Sequence, residues 1–173
     1  TFSYKRRKVL SHLIMPVVHS IYHTGFVVEN LNRALEFYTQ VLGMDIEREP
    51  TLSDTPWISE VVGYKGVIMR QAYVGVGDGH SIELIEYIHP RGEVRSDQID
   101  RNRQGSAHAA MVVDDVPAWR ERIEASGIKV FGPKYERDLE YPWARYAIYF
   151  QDLDGNWLEM VSRDPKPEDS KSN

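Results

Sequence analysis

The segment from His23 to Tyr38 (HTGFVVENLNRALEFY) aligns without gaps on the segment from His108 to Ile123 (HAAMVVDDVPAWRERI). Self-similarity of this kind constrains the architecture more tightly than local propensity does, because each copy must adopt the same supersecondary unit. The pairing sets His23 against His108, Val27-Val28 against Val112-Val113, and Glu29-Asn30 against Asp114-Asp115. Each copy reads as a short β-branched strand, then an acidic or amide residue suited to a helix N-cap, then a helix. In the first copy Leu31, Ala34, Leu35, Tyr38 and Leu42 recur at helical spacing, and Gly43 stands where a glycine would end the helix. Val116, Trp119, Ile123 and Gly127 repeat the pattern, with Pro117 in the first helical turn.

Strand material follows each helix. In the first half it comprises Met44 to Glu49, Gly66 to Val76 and Ser81 to Tyr87, with Gly77-Asp78-Gly79 as a hairpin turn. In the second it comprises Lys129 to Gly132, Ala144 to Gln151 and Asn156 to Ser162, with Asp154-Gly155 as the matching turn. Both halves therefore read βαβββ, an α+β chain of two tandem modules. The expected division is 1–18 as an N-terminal extension, 19–88 and 105–162 as modules, 89–104 as a linker and 163–173 as a disordered tail. Two long connections, Pro50 to Lys65 and Pro133 to Trp143, occupy equivalent places, and loops of that length are usually functional or mobile.

The composition narrows the partners. A formal net charge of -5 argues against nucleic acid, whose phosphate backbone is bound by a cationic face. The basic run Lys5-Arg6-Arg7-Lys8 reads as a solvated tail. The chain has no cysteine, which excludes disulfides, thiolate metal sites and cysteine nucleophiles. No apolar stretch approaches the ~20 residues of a membrane helix, and the N-terminal segment does not read as a secretory signal. The expectation is a cytoplasmic protein with a small-molecule substrate and neither nucleic acid nor membrane as partner.

The repeat places one histidine on the first strand of each half and one glutamate on each last strand, Glu83 in SIELIEY and Glu159 in NWLEMV. Side chains alternate across a strand, so Glu83 shares a face with Ile85 and Tyr87, whereas Glu86 falls on the other face. A carboxylate among apolar neighbours needs a partner, and a metal is a common one. Either residue type alone is more often structural. Their joint occurrence at repeat-equivalent positions points to one divalent metal held by His23, Glu83, His108 and Glu159, a donor set suited to Zn, Ni, Co, Mn or Fe(II). Trp57, Tyr64, Arg70, Tyr73, Trp143, Arg145 and Tyr146 lie on or beside the long connections and are candidates to line a substrate cup. His80 reads as solvent-facing beside its turn, and His12, His19 and His89 as non-ligands.

These residues resemble the vicinal oxygen chelate superfamily, which includes glyoxalase I, methylmalonyl-CoA epimerase, extradiol dioxygenases and the bleomycin- and fosfomycin-resistance proteins. The resemblance runs from about His19 to Ser162. It rests on His23 opening a Val-Val strand, on the helix phrase from Ala34 to Met44, on Ile82 to Tyr87, on His108 to Val113, and on Phe150 to Glu159. It implies sheets that form a cupped half-barrel around the metal, and a homodimer. If the cup is completed by a partner chain, His23 and Glu159 belong to different subunits' sites. It also implies an isomerase or lyase that removes a proton beside a carbonyl, with the enediolate or enolate stabilised by the metal. Glu159 would be the base and Glu83 its counterpart. Epimerases of the family place glutamine at the Glu83 position. The alternatives are an Fe(II) ring-cleaving dioxygenase with His23, His108 and Glu159 as its triad, and a non-enzymatic drug-binding resistance protein.

Overall fold

The computed structural model describes residues 16–93, 100–134 and 146–162. The expectations for the basic run, His12, the C-terminal tail, Trp143 and Arg145 fall outside them. Within them the elements run β1 (His23–Val27), α1 (Leu31–Glu36) continued by a π-turn (Phe37–Val41), β2 (Asp45–Ser53), α2 (Pro56–Val62), β3 (Ile68–Gly75) and β4 (Ser81–His89). The second half follows with β5 (His108–Val113), α3 (Val116–Ala125), β6 (Val130–Phe131), β7 (Ala147–Gln151) and β8 (Trp157–Ser162).

The fold is α+β, with two four-stranded sheets of identical order, β1-β4-β3-β2 and β5-β8-β7-β6. In each, the first strand runs parallel to the last and the other pairs are antiparallel. The helix caps are those the repeat predicts. The Asn30 side chain accepts from Arg33 N, and Asp115 accepts from Ala118 N, satisfying backbone donors that the first helical turn leaves free. The copies differ by one residue. Gly43 stands thirteen positions after Asn30, but Gly127 only twelve after Asp115. The extra residue is taken up by the π-turn, where Leu42 N reaches back to Phe37 O. Both glycines have positive φ, 69° and 84°, a conformation that L side chains resist.

One strand and one connection differ from the sequence expectation. β2 extends to Ser53 instead of ending at Glu49, and Pro56–Val62 forms a helix inside the connection read as a loop. α2 has its own signals: the Thr55 side chain accepts from Ile58 N, Pro56 occupies the first turn, and Gly63 closes the helix at φ 78°. Ile58 packs with Val67 and Met69 in a small apolar cluster that Val62, Ile85 and Tyr87 join.

Strand alternation divides each sheet into two faces. Phe26, Ala72, Val74, Ile82 and Leu84 of the first sheet, and Ile148, Phe150, Leu158 and Met160 of the second, enter one continuous core with α1 and α3. The halves are also joined by polar contacts. Tyr38 Oη donates to Asp152 Oδ2 at 3.0 Å, and Arg122 of α3 donates to the carbonyls of Gln40 and Val41 at 2.7 Å each. The residues of interest lie on the other face of each sheet. Among the described residues, no helix is long and apolar enough to cross a membrane.

Candidate functional site

On the first sheet, Glu83 lies opposite Gly25 of β1 and Tyr73 of β3, so the three share a face with His23. His23 Nε2 is 3.1 Å from Glu83 Oε2, and Tyr73 Oη donates to Glu83 Oε1 at 2.7 Å. On the second sheet Glu159 lies opposite Ala110 and Tyr149. There His108 Nε2 is 3.0 Å from Glu159 Oε2, and Tyr149 Oη donates to the same oxygen at 2.6 Å. The strand register thus builds the same histidine, glutamate and tyrosine arrangement twice.

Glu83 itself is 8% exposed. The histidines stand more open, with side chains 35% and 45% exposed for His23 and His108. A small residue opposite each glutamate leaves room beside the carboxylate; a Cβ on Gly25 would come within 3.8 Å of Glu83 Oε2.

Each tyrosine ring carries a guanidinium. Arg48 lies 4.6 Å from the Tyr73 centroid and also donates to Tyr22 Oη at 3.0 Å. Arg101 lies 4.3 Å from Tyr149, 5.1 Å from Trp157 and 5.7 Å from Phe131. Burial, then the hydrogen bond to and the charge of the adjacent glutamate, push each tyrosine up from 10.0 to about 12, against the opposing arginine. Both hydroxyls remain protonated donors at neutral pH.

The four candidate ligands therefore meet as two pairs. Among the described residues, no group of three or more histidine, aspartate or glutamate side chains gathers to hold a metal ion. Each pair taken alone fits a shared ion: donors bound at about 2.0–2.2 Å to one centre are themselves separated by about 3 Å. Imidazole and carboxylate are the ligand types that Zn, Ni, Co and Mn accept.

The remaining candidates separate by face. Glu86 is on the opposite face, as alternation predicts, accepting from Leu31 N and from Arg70. Arg70 consequently points away from the cup toward Glu86 and Asn32, and Tyr146 is buried in the core with its hydroxyl on the carbonyls of Pro133 and Lys134. Trp57 is exposed, and Tyr64 meets Tyr87 edge-on. His80 is half-buried rather than solvent-facing, its Nε2 3.0 Å from Thr24 Oγ1. Sequence reasoning missed Tyr149, Arg48 and Arg101. The signal for Tyr149 was present: Tyr73 and Tyr149 each precede their glutamate by ten residues. It also missed Gln71, whose buried Oε1 has no hydrogen-bond partner among the described residues and whose register with Ile85 puts it on the glutamate face.

Residues 20–160 match the family described as the Glyoxalase/Bleomycin resistance protein/Dioxygenase superfamily. Over 143 residues the chain is 34% identical to a probable lactoylglutathione lyase of Vibrio cholerae, covering 83% of this chain and 90% of that one. Over 155 residues it is 28% identical to a 2-epi-5-epi-valiolone epimerase of an Actinomyces species, covering 86% and 81%. A solved glyoxalase family protein from Bacillus cereus shares the fold, with TM-score 0.76 at 18% identity over 88% of this chain and 99% of that one.

Proposed function

We propose, since the chain belongs to the Glyoxalase/Bleomycin resistance protein/Dioxygenase superfamily, that it is a metal-dependent isomerase or lyase of the glyoxalase and epimerase type. It acts at a carbon beside a carbonyl of a small molecule, with His23, Glu83, His108 and Glu159 as the ligand set. The observation that carries this reading is the duplicated contact of histidine with glutamate, 3.1 Å in one half and 3.0 Å in the other. Similarity to proteins named as a lyase and an epimerase supports the reaction class.

One ion requires both pairs, yet each pair stands on the sheet face turned away from the shared core. On these same faces Val27 and Val112, repeat-equivalent residues, are 57% and 59% exposed. We infer a homodimer in which the His23–Glu83 pair of one copy faces the His108–Glu159 pair of the other. When bound, a Zn, Ni, Co or Mn ion would act as a Lewis acid on two neighbouring substrate oxygens.

The carboxylates differ in how they are held. Glu83 has both oxygens engaged, one by Tyr73 and the other by His23. Glu159 receives Tyr149 and His108 on one oxygen, and its Oε1 has no hydrogen bond among the described residues. That free oxygen suits Glu159 to accept the proton from substrate carbon, with Glu83 held as its fixed counterpart. The ring-cleaving dioxygenase reading leaves Glu83 idle, which its contacts with a histidine and a tyrosine, the same two residue types that meet Glu159, weigh against.

Elemental analysis of protein purified without chelator or affinity-column metal tests the ligand set. About one equivalent of Ni, Co, Zn or Mn per chain is expected; iron would favour the dioxygenase, and no metal even after reconstitution would sink the reading. The shared site is tested by mixing His23→Ala with His108→Ala protein. A cross-subunit arrangement restores one intact site in the mixed dimer, and a site within one chain restores none.

A further inference from the structure

We propose that Tyr73 and Tyr149 are positioning residues, each fixing the orientation of one carboxylate of the metal site through a hydroxyl that its arginine holds in place. The inference rests on the ligand set proposed above and goes beyond it. Both hydroxyls make short bonds to the glutamates, 2.7 and 2.6 Å, of the kind in which an ionised acceptor roughly doubles the strength. Each tyrosine occupies the position directly across the strand pair from its glutamate, which puts its hydroxyl within reach of the carboxylate.

The arginines make the case independent of the repeat. Arg48 comes from β2 of the first sheet, whereas Arg101 comes from the segment preceding β5, so the two are not repeat-equivalent. Both nevertheless lie over the face of the corresponding tyrosine, at 4.6 and 4.3 Å. A cation on the ring draws electron density from the phenol and strengthens its hydroxyl as a donor. A tyrosine present only to fill space needs neither the carboxylate nor the cation.

The two tyrosines act on their carboxylates in different ways. Tyr73 binds the Glu83 oxygen that His23 does not touch, which closes both oxygens and prevents the carboxylate from rotating. Tyr149 shares the Glu159 oxygen with His108, which fixes that oxygen and, among the described residues, leaves Oε1 open. Ligating carboxylates depend on such outer hydrogen bonds, and loss of one costs about 10- to 100-fold in metal affinity.

The test is titration of Co(II) into metal-free protein, read by calorimetry and by the visible absorption of the bound ion. Wild type, Tyr73→Phe and Tyr149→Phe are compared, with thermal melting of the metal-free proteins alongside. The expected result is affinity lower by about 10- to 100-fold in each variant, with a shifted Co(II) spectrum. Arg48→Met and Arg101→Met, which keep both hydroxyls, should lower affinity by about two- to fivefold, the size of an exposed cation–π contact; they serve if a tyrosine variant fails to fold. Affinities within twofold of wild type in the tyrosine variants, with an unchanged spectrum, would overturn the positioning role and leave the ligand set standing. Wild-type protein that binds no Co(II) would overturn the ligand set and this inference with it.

Discussion

Replacement of Tyr38 by phenylalanine isolates a single bond between the two halves. The ring is wholly buried, and its hydroxyl donates to Oδ2 of Asp152, itself 6% exposed, across 114 residues of sequence. Burial and the neighbouring Asp152 raise the tyrosine well above its ordinary 10.0, so it donates at any physiological pH. Phenylalanine keeps the ring, and Oδ2 keeps a second donor, Asn156 Nδ2 at 2.8 Å. The carboxylate is therefore weakened and not orphaned, and the cost falls at the low end for a hydrogen bond to a charge, about 1.5–2 kcal/mol. For a chain of this size that lowers the melting temperature by about 3–8 °C. Asp152→Ala should cost more, because Oδ1 also holds Asp154 N and Asn156 N at 2.9 and 2.8 Å in the turn that docks on α1. Urea denaturation of metal-free protein gives both values, with the slope unchanged if only the native state is affected. A Tyr38→Phe protein as stable as wild type would refute the reasoning, as would full additivity of the two substitutions, since residues in contact must couple.

Glu159→Gln should lower turnover by at least about a hundredfold with the fold intact, the size of a general-base contribution, and full activity would remove Glu159 from that role. Tyr73 and Tyr149, raised from 10.0 to about 12, have folded-state values above the unfolded one. Their contribution to stability is therefore complete below pH 10 and is lost as pH rises toward 12. Tyrosinate absorbance of native protein should lag that of urea-unfolded chain through this window, and coincident titrations would contradict the assignment. Gln71→Met should stabilise the fold by about 1 kcal/mol, because it replaces a buried acceptor that has no partner among the described residues with an apolar chain of similar length. Calorimetric melting measures it, and a lower melting temperature would indicate that the amide has a partner.

The sequence was most informative where one physical cause acted twice. The caps at Asn30 and Asp115 and the separation of Glu83 from Glu86 follow from repeat and alternation. β2 was only half legible because it is an edge strand exposed along nearly its whole length, so no apolar alternation marks it, and Pro50 breaks its pattern. α2 was missed despite a complete set of start and stop residues, since seven residues are too few for an apolar period to stand out. Arg101 could not have been found. It reaches Tyr149 only through the tertiary path of a polar connection, and nothing in its neighbours along the chain distinguishes it from Arg103.

That the site is legible as a repeat yet assembled as two pairs has a physical reason. A strand register can bring a histidine, a glutamate and a tyrosine together on one face, because residues two apart on a strand and directly opposite on its neighbour are close. It cannot bring in a second histidine and glutamate, because the same register already fills the adjacent positions with Ile85 and Gln71 in the first sheet and Trp157 and Gln151 in the second. A four-ligand site built from such units needs two sheets facing each other. The shared core occupies the opposite face of each sheet, so within this reading the facing surface must come from a second copy. In the proposed dimer, duplication of the module would supply both half-sites in one chain, so that two identical chains complete two sites.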